Sequence, residues 1–212
     1  MMSNSTEAAQ ARSRLKHIRL ALWLLVALLA GFALLYLVGP EPEAALDEPV
    51  NYGDTVGGAF SLTAPDGSTV TDQTLKGQPF AIFFGFTRCP DVCPTTLSRL
   101  AQLRKRMGED GEKFQIVFVS VDPGYDSPED IGRYVDLFGT PIIGLTGSDD
   151  AIAEVADAYH AFYEKVPVEG GDYTIDHTAA VYLMGADGKL QSIIDYHESP
   201  AASLAKLEGL IG

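Results

Sequence analysis

The chain is 212 residues long with a formal net charge of −14 at pH 7, and 46% of its residues are hydrophobic. So acidic a balance excludes a surface that draws nucleic acid or anionic lipid by charge. The apolar residues are unevenly spread, and once an unusual N-terminal stretch is set aside about 150 to 170 residues remain, enough for one domain with its own core.

Residues 1–19 are polar and basic, with Arg12, Arg14, Lys16 and Arg19 close to their end. Residues 20–38, "LALWLLVALLAGFALLYLV", run for nineteen residues without a charge, long enough at 1.5 Å rise to cross a hydrocarbon core of about 30 Å. The run is longer than the apolar part of a signal peptide and has no small-residue cleavage site after it, so it reads as an uncleaved transmembrane helix. Basic residues before it and Glu41, Glu43, Asp47 and Glu48 after it put the N-terminus in the cytoplasm and the rest outside: the periplasm for a bacterial inner membrane, the intermembrane space for a mitochondrion. Residues 41–212 then carry eleven basic and twenty-eight acidic side chains, a net of −17 that keeps the domain soluble and off the membrane surface.

Residues 39–58 hold three prolines, several acids and no apolar period, the composition of a flexible tether. A coil of that length spans about 25 Å, which leaves the following domain, residues 59–212, beside the membrane.

In that domain "AFSLTAPDGSTVT" reads as a hairpin turning at Asp66-Gly67. The nearly continuous apolar runs Phe80–Phe86 and Phe114–Val121 are strands of a sheet covered on both faces, and a helix between them places Leu97, Leu100, Ala101 and Leu103 on one side. A helix capped by Ser127 with Pro128 at its first position, a short strand "PIIGLTG" and a helix from Asp149 follow. "EKVPVEGGDYT" reads as an exposed loop. Then "TAAVYLMG" and "LQSIIDYH" form a hairpin with Asp187-Gly188 at its turn, before a last helix from about Pro200. This order predicts an α/β thioredoxin-like fold, a central mixed sheet flanked by helices, with one helix and one strand inserted before the closing hairpin.

The two cysteines, Cys89 and Cys93, sit in "FGFTRCPDVCP", where a core strand gives way to a helix. Closing so small a ring adds only about 2 kcal/mol, so a purely structural disulfide is poorly motivated in a domain with a core. A helix N-terminus favours thiolate over thiol, and a spacing of four puts both sulfurs on one side of the first turn. That arrangement suits a redox disulfide, with both cysteines as catalytic groups, and it equally suits a soft metal site matched to copper(I).

Of four histidines, His17 lies on the other side of the apolar run, His160 sits on an ordinary helix face and His197 follows the last strand. His177, in "YTIDHTAAVYL", precedes a strand expected beside the first core strand, and Asp176 next to it can orient its ring. No proline lies between Val168 and Ser199, so the cis-proline loop of thioredoxins is missing there and His177 takes its neighbourhood. Asp122, in "SVDPGYD", reads as a turn former before Pro123.

Together "FGFTRCPDVCP", "FVSVDP" followed by "DSPED", "DHTAAVYLMGADG" and the single N-terminal anchor closely resemble the Sco (SenC) proteins, from Phe60 to Gly212. The resemblance implies one copper ion per domain, as Cu(I) or Cu(II), held by Cys89, Cys93 and His177. It implies delivery of copper to cytochrome c oxidase, or reduction of that enzyme's copper-ligand cysteines, with the copper-site subunit or other copper chaperones as partners. A thiol-disulfide reductase that needs no metal and a redox or copper sensor are the alternatives. A peroxidase is disfavoured, because Phe86 and Pro90 stand where the peroxiredoxin pattern needs threonine.

Overall fold

A computed structural model describes residues 22–32 and 55–212, and the chain divides into an N-terminal unit up to Val50 and a compact unit from Asn51. In the first unit residues 22–32 are helical, with Leu22, Trp23 and Phe32 exposed. These residues rise about 16 Å, and among the described residues no helix is long and apolar enough to cross a membrane. The remainder of the 20–38 run, and most of the tether, lie outside the described residues.

The second unit opens slightly earlier than its composition suggests, since Val56 is already buried and the Gly57 N–H donates to the Ala158 carbonyl at 2.8 Å. Strands β1 (Ser61–Thr63) and β2 (Thr69–Thr71) form the first hairpin, and a single helical turn α1 (Asp72–Leu75) follows under a Thr71 capping box. Then come β3 (Phe80–Gly85), α2 (Val92–Met107), a 3-10 turn (Gly108–Lys113), β4 (Gln115–Ser120), α3 (Pro128–Asp136) and β5 (Ile143–Leu145). The chain ends with α4 (Asp149–Ala158), β6 (Tyr163–Pro167), β7 (Tyr173–His177), β8 (Val181–Met184), β9 (Leu190–Ile194) and α5 (Pro200–Ile211).

The main sheet has the order β5-β4-β3-β8-β9, parallel across its first three strands and antiparallel across β8 and β9. Every residue of β3 is buried, the result of an unbroken apolar run at the sheet's centre. Ser127, Ser148 and Ser199 cap α3, α4 and α5 through their hydroxyls, satisfying N–H groups that have no partner within the helix. Leu97, Leu100 and Leu103 of α2 and Leu207 of α5 complete the core. This is the expected thioredoxin-like architecture with its inserted segment.

The insertion differs from the expectation. "EKVPVEGGDYT" is not a loop: its two ends are β6 and β7, a separate two-stranded sheet that pairs Tyr163 with His177 and Pro167 with Tyr173. Gly170 and Gly171, both at positive φ, make the turn between them.

Sheet direction then assembles the site. Strands β3 and β4 are parallel, so the cysteine loop after Gly85 and the segment after Ser120 leave the same edge. Strand β8 runs the other way and enters beside Phe83, so the residues leading into it, His177 among them, arrive at that edge too.

Candidate metal centre

At the mouth of β3 the chain turns sharply, with the Cys89 N–H donating to the Phe86 carbonyl at 3.2 Å, and α2 begins at Val92. Asp91 stands at the N-cap position, but its side chain makes no capping bond to the backbone. The Cys93 N–H donates instead to Cys89 Sγ at 3.4 Å, so sulfur takes the place of the usual capping oxygen. A thiolate there gains from the positive end of the helix dipole and from that N–H.

Both cysteines are reduced in the structure; Cys93 is fully buried and Cys89 retains 9% exposure. The S–H of Cys93, with help from the N–H groups of Cys93 and Asp91, outweighs burial and holds the Cys89 thiol down to about 4. Burial, followed by the adjacent Cys89 sulfur, pushes Cys93 the other way. One sulfur is therefore a ready anion and the other keeps its proton at neutral pH. The backbone has to pass very close to allow this: a Cβ on Gly85 would lie 2.6 Å from Cys93 Sγ and 3.0 Å from the Phe118 ring.

His177 is the last residue of β7, and its Nε2 stands 3.4 Å from Cys93 Sγ. Its Nδ1 lies 3.1 Å from the Thr178 carbonyl, which can only accept, so Nδ1 carries the proton and the Nε2 lone pair faces the sulfurs. The rings of Phe83 and Phe86 approach the imidazole edge-on, each with centroids 5.8 Å away, and fix its plane. Asp176, expected to orient the ring, is exposed and faces the opposite side of β7, because neighbours on a strand alternate. The Thr178 carbonyl does that work.

Ligand atoms of Cys89, Cys93 and His177 all lie within 4.8 Å of one another, and among the described residues this is the group of three able to hold a metal. With bonds of about 2.0 to 2.3 Å to nitrogen and sulfur, three ligands around one ion stand about 3.5 to 4 Å apart. Small adjustments close the site on an ion, and two sulfurs with one imidazole form a soft donor set. The other histidines of the domain are elsewhere, with His160 Nε2 at 3.1 Å from the Thr55 carbonyl and His197 exposed.

Two buried carboxylates brace the loop. Asp126 accepts from the Thr87 N–H at 2.9 Å, the Thr87 hydroxyl at 2.5 Å and the Ser120 hydroxyl at 2.6 Å, tying the residues before Cys89 to the end of β4. Asp122 is fully buried and accepts from the Tyr173 hydroxyl at 2.8 Å and from Arg88 at 3.2 Å, with Lys165 Nζ at 3.3 Å. It is thus more than a turn former. Neither brace was evident from sequence, although the period of two that puts Tyr173, Ile175 and His177 on one face of a strand is visible in "YTIDH".

Fold and site together define a thioredoxin-like domain with two cysteines and an imidazole grouped at the strand-to-helix junction, a set that could hold a metal ion. The SCO1/SenC family model matches residues 49–212, and the chain belongs to the SCO1/SenC family. It is 34% identical over 193 residues to the SCO2-like protein of Rickettsia felis, covering 88% of this chain and 94% of that one. Over 144 residues it is 40% identical to the mitochondrial SCO1 homolog of Homo sapiens, covering 66% of this chain and 47% of the relative. The mitochondrial SCO1 homolog 1 of Arabidopsis thaliana is 41% identical over 133 residues; the chain spans only 40% of its length.

Among solved structures, copper-bound ScoI of Bradyrhizobium japonicum is 42% identical, with a TM-score of 0.68 over 73% of this chain and 99% of that one. Copper-bound ScoI of Arabidopsis thaliana is 35% identical with a TM-score of 0.70, covering 74% of this chain and 98% of that chain. Copper is therefore the metal held by similar domains, and this chain presents a three-ligand group fit for a metal.

Proposed function

We propose that this chain is a membrane-anchored copper chaperone that holds one copper ion through Cys89, Cys93 and His177 and serves the assembly of cytochrome c oxidase. The observation that carries the reading is the 3.4 Å approach of His177 Nε2 to Cys93 Sγ, with Cys89 in the same cluster. A related protein, BsSco, is described as a member of the Sco family of cytochrome c oxidase assembly proteins, which supports the partner.

The ligand chemistry supports transfer by exchange. The Cys89 thiolate is available first, and Cys93 gives up its proton as the ion enters. The His177 lone pair then closes the coordination. A partner's thiolates displace the three ligands one at a time, and 9% exposure makes Cys89 the natural point of entry. The apolar run at 20–38 supplies the anchor, with the N-terminus in the cytoplasm and the domain in the periplasm, beside a membrane-bound partner.

A second reading has its own support, because the same reduced pair can act on a partner's disulfide: the Cys89 thiolate attacks, Cys93 resolves, and two electrons and the Cys93 proton pass to the partner's cysteines, with any second proton taken from water. The two readings separate on one experiment. The full chain in detergent, reduced and loaded with one Cu(I), is mixed with a reduced dithiol peptide carrying a copper-site sequence and, separately, with its oxidised form. Metal transfer to the reduced peptide with slow reduction of the oxidised one supports the chaperone. Rapid disulfide reduction without metal retention supports the reductase.

A further inference from the structure

The β6–β7 hairpin makes no strand pairing with the main sheet, yet it carries the third ligand at its end. What ties it down near the site is a cluster centred on Asp122. From the hairpin, the Tyr173 hydroxyl donates to both carboxylate oxygens at 2.8 and 3.1 Å, and Lys165 Nζ approaches at 3.3 Å. From the cysteine loop, Arg88, the residue before Cys89, donates to the same carboxylate at 3.2 Å and reaches both oxygens of Asp172 at 3.1 Å. Its guanidinium stands over the Tyr125 ring at 4.0 Å and over the Tyr173 ring at 4.7 Å. One buried carboxylate therefore collects donors from both sides of the metal centre.

The geometry points to a latch: Arg88, Asp122 and Tyr173 are positioning residues that hold the hairpin closed so that His177 meets the two sulfurs, and releasing them withdraws the imidazole while leaving the dithiol in place. The inference rests on reading Cys89, Cys93 and His177 as copper ligands. Its inner anchor, Asp122, is sealed from solvent, whereas the side chains of its outer arm are within reach of a docking protein, Tyr125 at 56% and Asp172 at 65% exposure. The Arg88 Nε–H has no acceptor among the described residues, so the outer arm is not saturated. A docking surface that competes for Arg88 or Asp172 loosens the hairpin, and the ion is left on two sulfurs that incoming thiolates can replace.

The test uses the full chain in detergent, reduced and copper-free, compared with Tyr173→Phe and Arg88→Gln by hydrogen–deuterium exchange. Removing one hydrogen bond to a charged group speeds exchange of the β6–β7 amides by about tenfold, while β3 and β4 amides keep wild-type rates. In a second arm each variant binds one Cu(I) as wild type does, but its Cu(II) charge-transfer bands move toward those of His177→Ala. Arg88→Lys, which keeps a charge for Asp122 but not the fork for Asp172, falls between. The latch is overturned if the hairpin amides of both variants exchange at wild-type rates, if the acceleration is equal over β3 and β4, or if the Cu(II) spectra stay wild type while the hairpin loosens. Failure of the wild-type chain to bind copper refutes the ligand reading instead, and the exchange arm still decides whether the hairpin is latched.

Discussion

Cys93 Sγ and His177 Nε2 lie 3.4 Å apart although 84 residues separate them in the chain. The meeting follows from strand direction, since β3 leads out to the cysteine loop and β8, antiparallel to it, is entered from His177. Replacing His177 by alanine removes the imidazole and spares the dithiol. Cu(I) binding at one ion per chain is retained in His177→Ala, and affinity for Cu(II) falls by at least the about 10- to 100-fold that loss of an outer partner costs. Competitive titration with a chelator of known affinity, beside the visible spectrum, reads both.

The two sulfurs titrate far apart. Cys89 is held down to about 4 by the Cys93 S–H, so alkylation at Cys89 stays on a plateau between pH 6 and 8 and falls as pH drops through about 4. The folded pKa lies below the unfolded one, so this group contributes stability that is fully present above the unfolded value near 9 and is lost as pH falls through about 4. Cys93, pushed up by burial, resists alkylation across that range in the folded chain. Binding of Cu(I) at neutral pH consequently releases about one proton per ion, measurable in a weakly buffered titration.

Gly85 leaves room for the Cys93 sulfur. A methyl group there would sit 2.6 Å from Sγ, so in Gly85→Ala either the sulfur or the start of α2 has to shift. The variant loses copper-binding capacity by a larger factor than it loses stability, with the midpoint of denaturant unfolding falling by the equivalent of about 1 to 3 kcal/mol. A metal titration and an unfolding curve on the same preparation separate the two effects.

Asp126 holds the loop from outside the Cys89, Cys93 and His177 group. In Asp126→Ala the Ser120 hydroxyl and the Thr87 N–H lose their acceptor inside the protein, a cost of about 2 to 4 kcal/mol in urea unfolding. Asp126→Asn keeps the shape and recovers part of it.

Much of this was legible in the sequence for a physical reason: apolar runs without breaks mark β3 and β4, serines and prolines mark the helix starts, and a dithiol at a strand-to-helix junction is a chemically distinctive feature. The Cys89, Cys93 and His177 cluster followed from the expected sheet order together with the family resemblance. The hairpin β6–β7 reads as a loop because its first strand is mostly exposed and charged and its turn is rich in glycine and acid. The Thr178 carbonyl beside His177 is not legible because sequence shows side chains and hides backbone acceptors, and the outward direction of Asp176 follows only once the segment is known to be a strand. Arg88 and Asp122 are 34 residues apart, and no local pattern joins them.

The central claim is that Cys89, Cys93 and His177 hold one copper ion, and metal analysis tests it most directly. The full chain, purified anaerobically under reducing conditions and exposed to limiting Cu(I), is predicted to retain about one copper per chain, and the Cys89→Ser, Cys93→Ser double variant none. Copper-free wild-type protein, or equal copper in the double variant, would contradict the account.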